Sequence, residues 1–167
     1  MNEAELHAFS REHLYYELEM VFFTAPLCVH YREPKNVDEQ VIKNALLESF
    51  AIHVRVLKAF LFDPRLRLDD VIADDYVADP GEWRRAREPV PEILMRASER
   101  TGGEVAHLTT RRQSEPAAKH WPLQELLQAL TPPVCQFIAM TPAARLDWRF
   151  PMLAADLGCV KNEGGTK

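Results

Sequence analysis

Two histidines and one arginine-rich stripe are the residues whose type and spacing could do chemistry. His53 falls within NALLESFAIHVRVLKAFLF, Asn44 to Phe62, where apolar residues recur at helical spacing. A histidine on an apolar helix face must satisfy at least one ring nitrogen or carry a burial cost. It is then either a neutral core histidine bonded to a neighbouring side chain or carbonyl, or part of a small polar site between facing helices. The second candidate starts at Arg96. On a continuous helix Arg96, Arg100, Glu104, His107 and Arg111 share one stripe, spaced 4, 4, 3 and 4. As a solvated face, that stripe makes i to i+4 pairs such as Arg100–Glu104 and His107–Arg111. As a site, its arginines clamp a phosphate and its histidine handles a proton near neutral pH. With Arg112 beside it, the wider polar cluster comprises Glu48, His53, Arg55, Arg96, Arg111 and Arg112.

Metal ligation needs three or four converging ligands. The remaining histidines are His7, His13, His30 and His120, and no two histidines stand four residues apart. No metal and no cofactor is expected.

These residues need a scaffold, and the apolar pattern describes one. A first helix is expected from about Glu3 to Ala25, with Leu14, Leu18, Val21 and Phe22 in register and Pro26 kinking or ending it. Asn36 followed by Glu39 resembles a capping box and starts the second helix. Ile42, Leu46, Phe50, His53, Leu57, Phe60 and Leu61 form its inner side; Asn44, Glu48, Arg55 and Lys58 form its outer side. The run FDP, Phe62 to Pro64, ends it. A connector rich in Asp, Pro and Arg follows, with a short helical turn near Asp69 to Val77. A third long helix begins near Pro91 with Leu94, Ala97, Thr101, Val105 and Leu108 inward, interrupted at Gly102 and Gly103, where either two helices meet or another backbone approaches closely. Another starts near Pro122, with Leu123, Leu126, Leu127 and Leu130 inward. PPVCQFIAM, Pro132 to Met140, reads as a separate short helix. No segment alternates with period two. The expected class is all-α: an antiparallel four- to five-helix bundle with irregular, proline-rich C-terminal helices.

Composition sets the outer bounds. The chain has 167 residues, 47% of them hydrophobic and 27% charged, enough for one domain over residues 1–160 with a mobile polar tail, KNEGGTK, at 161–167. A net charge of −5 argues against general nucleic-acid binding, although RRAR at Arg84 to Arg87 and the pair Arg111–Arg112 are local basic clusters. Three widely spaced cysteines, Cys28, Cys135 and Cys159, argue against a disulfide framework and for a reducing cytosol. The amino end is polar, unlike a signal peptide, and the longest apolar run, Met20 to Val29, is too short to span a membrane. The chain is expected to be cytoplasmic, with no membrane partner.

The blocks YYELEM, NALLESFAIHVRVLKAFLF, LDDVIADDY and VAHLTTRR resemble a group of bacterial proteins with HEPN-like helical bundles. The resemblance covers roughly residues 14–130, carried by Leu47-Glu48-Ser49-Phe50, His53-Val54-Arg55 and His107-Leu108-Thr109. It implies a four- or five-helix bundle, often a homodimer. Active HEPN-type ribonucleases carry an arginine, four to six residues, then a histidine on a late helix, meeting their copies across a two-fold axis. Arg100 and His107, separated by TGGEVA, match the longest of those spacings. The resemblance then implies that His107 activates a ribose hydroxyl and Arg100 stabilises phosphate charge.

Three functional readings follow. The first is a non-catalytic dimerising or binding module. The second is a metal-independent ribonuclease using Arg100 and His107, with Arg96, Arg111 and Arg112 holding RNA. The third is a small-ligand or nucleotide pocket between the second and third long helices, where His53 and His107 converge. A nuclease would gather its arginines in a basic cleft. A passive module would disperse them or pair them with acids.

Overall fold

The computed structural model describes residues 1–106, 109–113 and 120–159, without the side chains of Arg111 and Arg112. Among these residues the chain is all-α and contains no strand. The first long helix is α1 (Glu3–Phe9), a π-type turn (Ser10–Leu14) and α2 (Tyr15–His30) in unbroken succession. Asn2 caps it: its side chain accepts from the Glu5 N–H at 2.9 Å, and the Glu5 carboxylate accepts from the Asn2 N–H at 2.8 Å. The helix does not stop at Ala25. It continues through Pro26, which is exposed, to His30, because Val21, Thr24, Ala25 and Cys28 keep the buried stripe going.

The next helix, α3 (Val37–Phe62), begins and ends as its sequence signals require. The Asn36 side chain accepts from the Glu39 N–H at 2.8 Å. The returning Glu39 carboxylate accepts from the Lys35 N–H at 2.8 Å instead of from the backbone N–H of Asn36. Burial along α3 is uneven. From Val37 to Ser49 no residue is buried, and then Phe50, Ala51, Val54, Leu57, Phe60, Leu61 and Phe62 are. Ile42, expected inward, is exposed, because this half of α3 pairs with α2 in a hairpin whose outer faces nothing covers.

The connector folds into two short helices, α4 (Ala73–Tyr76) and α5 (Pro80–Ala86). Rings of Phe60, Tyr76, Trp83 and Phe137 pack edge to face around Phe137 at 5.1–6.3 Å, joining α3, α4, α5 and a later helix. Tyr76 also donates to the Leu6 carbonyl at 3.1 Å, and burial pushes its phenol pKa up. The third long helix is α6 (Glu92–Arg100), which widens into a π-type turn over Thr101–Ala106. Gly102 and Gly103 therefore neither end the helix nor join two helices; the extra residue of a π turn accommodates them. Thr101, fully buried, has its hydroxyl oxygen 2.7 Å from the Ala97 carbonyl and 3.2 Å from the Ala51 carbonyl, so its single proton ties that turn to the Ala97 carbonyl or is shared with that of Ala51 on α3.

One continuous helix, α7 (Leu123–Met140), replaces the two expected between Leu123 and Met140. Pro132 and Pro133 each remove a backbone bond. Leu126, Leu130, Val134 and Phe137 nevertheless form one buried face across them. Each such side chain contributes about 1.5–3 kcal/mol on burial, which outweighs the proline penalty. A short helix, α8 (Arg149–Asp156), turns back after a 3-10 turn at Ala143–Arg145 and places Cys159 beside Cys135 on α7. The two form a disulfide, with Cα atoms 5.1 Å apart. This corrects the expectation of unpaired cysteines: a separation of 24 residues carries no local sign of the reversal that joins them. The cysteine count therefore gives no ground for a reducing compartment. Cys28 is free and buried.

Buried side chains from Leu6 to Leu153 form one contiguous cluster. No helix among the described residues is long and apolar enough to cross a membrane.

Candidate functional site

His53 faces α2. Its Nδ1 lies 2.7 Å from Glu17 Oε2, with the histidine side chain 13% and the glutamate side chain 23% exposed. An ionised carboxylate only accepts, so Nδ1–H donates to it. The Tyr16 ring stands edge-on to the imidazole at 5.4 Å. Both partners lie in YYELEM on the first long helix, two helices earlier than His107, the residue expected to meet His53. Glu17 was the missing piece of the sequence reading. Its signal is only that it stands one position from a buried leucine, on a helix that must lie antiparallel to α3.

Arg100 occupies a second polar cluster, between α6 and the start of α7. Its Nε and Nη2 donate to the two Glu104 oxygens at 3.0 and 2.9 Å, and Nη1 donates to the His120 carbonyl at 2.9 Å. Its guanidinium also lies over the Trp121 ring, 4.4 Å from the centroid. Every nitrogen of the group is thus engaged within the chain. The Arg100–Glu104 pair expected for a solvated stripe is present, and it is three-quarters buried rather than solvated. Arg96 makes a loose, exposed contact with Glu92 at 3.7 Å. His107, the other half of the expected pair, lies outside the described residues, as do the side chains of Arg111 and Arg112.

Glu48 and Arg55 do not join His53. Glu48 is exposed and has no ion-pair partner among the described residues. The Arg55 guanidinium extends over the π-type turn; a Cβ on Gly102 would lie 3.7 Å from its Nη1. Of the expected cluster, Glu48, His53, Arg55 and Arg96 share no hydrogen bond or ion pair with one another, and the side chains of Arg111 and Arg112 lie outside the described residues. Among the described residues no three His, Cys, Asp or Glu side chains converge as for a metal.

An open groove lies elsewhere. A groove of about 740 Å³ runs over the outer side of α3, across Ile52, Val56 and Ala59. One bank is the first helix, with Phe9, His13 and Glu17; the other carries Thr101 and Ala106. Residues of the connector after α3, among them Leu66 and Val71, also line it. That connector is pinned. Asp70 Oδ2 accepts from the N–H groups of Leu66 and Arg67 at 3.0 and 2.8 Å, Arg65 donates to the Asp70 carbonyl at 2.7 Å, and Arg65 also pairs with Asp75. Lys58 bridges back to Asp63 at 2.6 Å.

No known family's sequence profile, no curated protein and no solved structure matches the chain. What the site can do rests on its own geometry. The groove is lined mainly by apolar side chains, and Ile52, Val56 and Leu66 there are 43%, 40% and 80% exposed. The sequence pattern assigned the outer side of this helix to polar residues; Ile52 and Val56, four apart on that side, were the available signal. Arranged so, the groove can hold an apolar body.

Proposed function

We propose that this chain is a non-catalytic helical binding module, the first of the three readings above. The observation that carries it is the state of Arg100. A guanidinium bonded to both oxygens of Glu104 and to the His120 carbonyl, over the face of Trp121, is a structural cross-link. Freeing it for a phosphate would leave Glu104 without its partner in a three-quarters buried position. His53 is spent in the same way, on Glu17. The open surfaces are apolar instead: the groove on α3, and the α2–α3 hairpin, where Phe23, Val37 and Val41 are 56%, 78% and 61% exposed. Apolar surface of this kind suits association with a ligand or a second copy. The HEPN-like kinship and the homodimer remain parts of this reading that rest on sequence blocks alone.

The decisive experiment is RNA cleavage by the purified chain, side by side with Arg100→Ala. The expected result is no cleavage by either protein. Cleavage by the native chain that disappears in a folded Arg100→Ala variant overturns the reading in favour of the ribonuclease.

A further inference from the structure

We propose that the groove on α3 binds a single-chain amphiphile with an anionic head, its tail along Ile52 and Val56 and its head on Arg55. The inference deepens the binding-module reading and rests on it.

Three observations lead there. The groove's size, about 740 Å³, falls within the roughly 300–1,000 Å³ of small-ligand sites. Its floor is apolar and linear, since Ile52, Val56 and Ala59 follow one another along a single helix face. A flexible chain fits such a floor without needing hydrogen-bond partners. The third observation is the charge left free at the rim. Glu17 is taken by His53, Asp63 by Lys58, and the Asp70 carboxylate by two backbone N–H groups. Asp69 is the one lining acid without a partner among the described residues, and it is exposed. Against it stand two guanidiniums, Arg55 and Arg67, with no hydrogen bond or ion pair among the described residues. In a chain of net charge −5, three of the four acids lining this groove are held by partners and both of its arginines are not. An apolar trough with free guanidiniums at its edge complements an alkyl chain ending in a carboxylate or a phosphate monoester. Arg55 is the better anchor because it is carried by α3 itself, whereas Arg67 is on the connector.

The test is calorimetric titration of the full chain with dodecanoate, dodecyl phosphate and dodecyltrimethylammonium, each below its micelle concentration. One-site binding of an anionic amphiphile is expected, with the cationic one weaker by about tenfold or more, the effect of a single charge-assisted contact. Whichever of dodecanoate and dodecyl phosphate binds more tightly identifies the head, and either supports the proposal. Arg55→Glu is expected to weaken anion binding by about tenfold or more. Arg32→Glu, the same charge change at the exposed hairpin tip, is expected to leave it within about twofold. Absence of saturable binding, equal affinity for the cationic amphiphile, or equal losses in the two variants overturns the proposal. So does a ligand-free dimer, seen by sedimentation, that Ile52→Glu dissociates, since the groove would then belong to a second copy. None of these results bears on RNA cleavage, so the failure of the ligand and the failure of the binding-module reading are told apart.

Discussion

Arg100 and Arg55 stand on helices packed against each other, and their circumstances are opposite. Arg100 is 24% exposed on its side chain, with every guanidinium nitrogen bonded and an indole beneath it. Arg55 is exposed, lies over a glycine turn and has no bonded partner among the described residues. The arginine with the motif-like spacing is the one that holds the fold; the arginine with no motif borders the open groove. The difference lies in how each immediate neighbourhood meets the desolvation of a charge. Near Trp121 and Leu126 a guanidinium must be paired to be tolerated, so Glu104 and the His120 carbonyl are fixed there. On the outer side of α3 water does that work, and the charge stays available.

Substitutions should separate the closed side of the molecule from the open one. The largest effect is expected from the clamp that ties α7 to the end of the chain. Breaking the Cys135–Cys159 bond, by reductant or by Cys135→Ser, removes closure of a loop spanning 24 residues and should cost about 3 kcal/mol in urea denaturation. An unchanged midpoint would mean that α8 is held by packing alone. Next comes Arg100→Ala, which strands Glu104 and uncovers Trp121; a loss of about 2 kcal/mol is expected. Its counterpart on the open side, Ile52→Gln, should stay within about 0.5 kcal/mol of the native chain. Equal losses for the two would erase the contrast between knot and groove. Between these two falls His53→Leu. Glu17 is 23% exposed and regains water, so the loss should be near 1 kcal/mol, and His53→Gln should recover part of it. A loss for Gln as large as that for Leu would mean that the Glu17 bond contributes little.

The elements were legible where local chemistry fixes them. Asn36 and Asp63 mark the ends of α3 in sequence and in space, and Leu94, Ala97 and Thr101 are inward as their spacing requires. The reading failed where tertiary burial overrules local preference. Pro26 read as a kink or a helix end and Pro132–Pro133 as the start of a separate short helix, yet α2 and α7 run through them because buried side chains continue on the far side. Ile42 read as core, yet the half of α3 that carries it lies in the hairpin and is uncovered. The candidate site was legible as a list of residues but not as a set of partners: the His53 bond to Glu17 spans 36 positions.

The amino-acid sequence alone determined that the chain is helical, where α3 begins and ends, and which residues carry unusual chemistry, because caps and 3.6-residue periodicity act over a few positions. Only the tertiary structure decided that Arg100 is locked, that Cys135 meets Cys159, and that Ile52 and Val56 line a groove with Arg55 at its edge. The physical reason is that pairing and desolvation depend on which distant segments come within a few ångströms, and no local spacing encodes that.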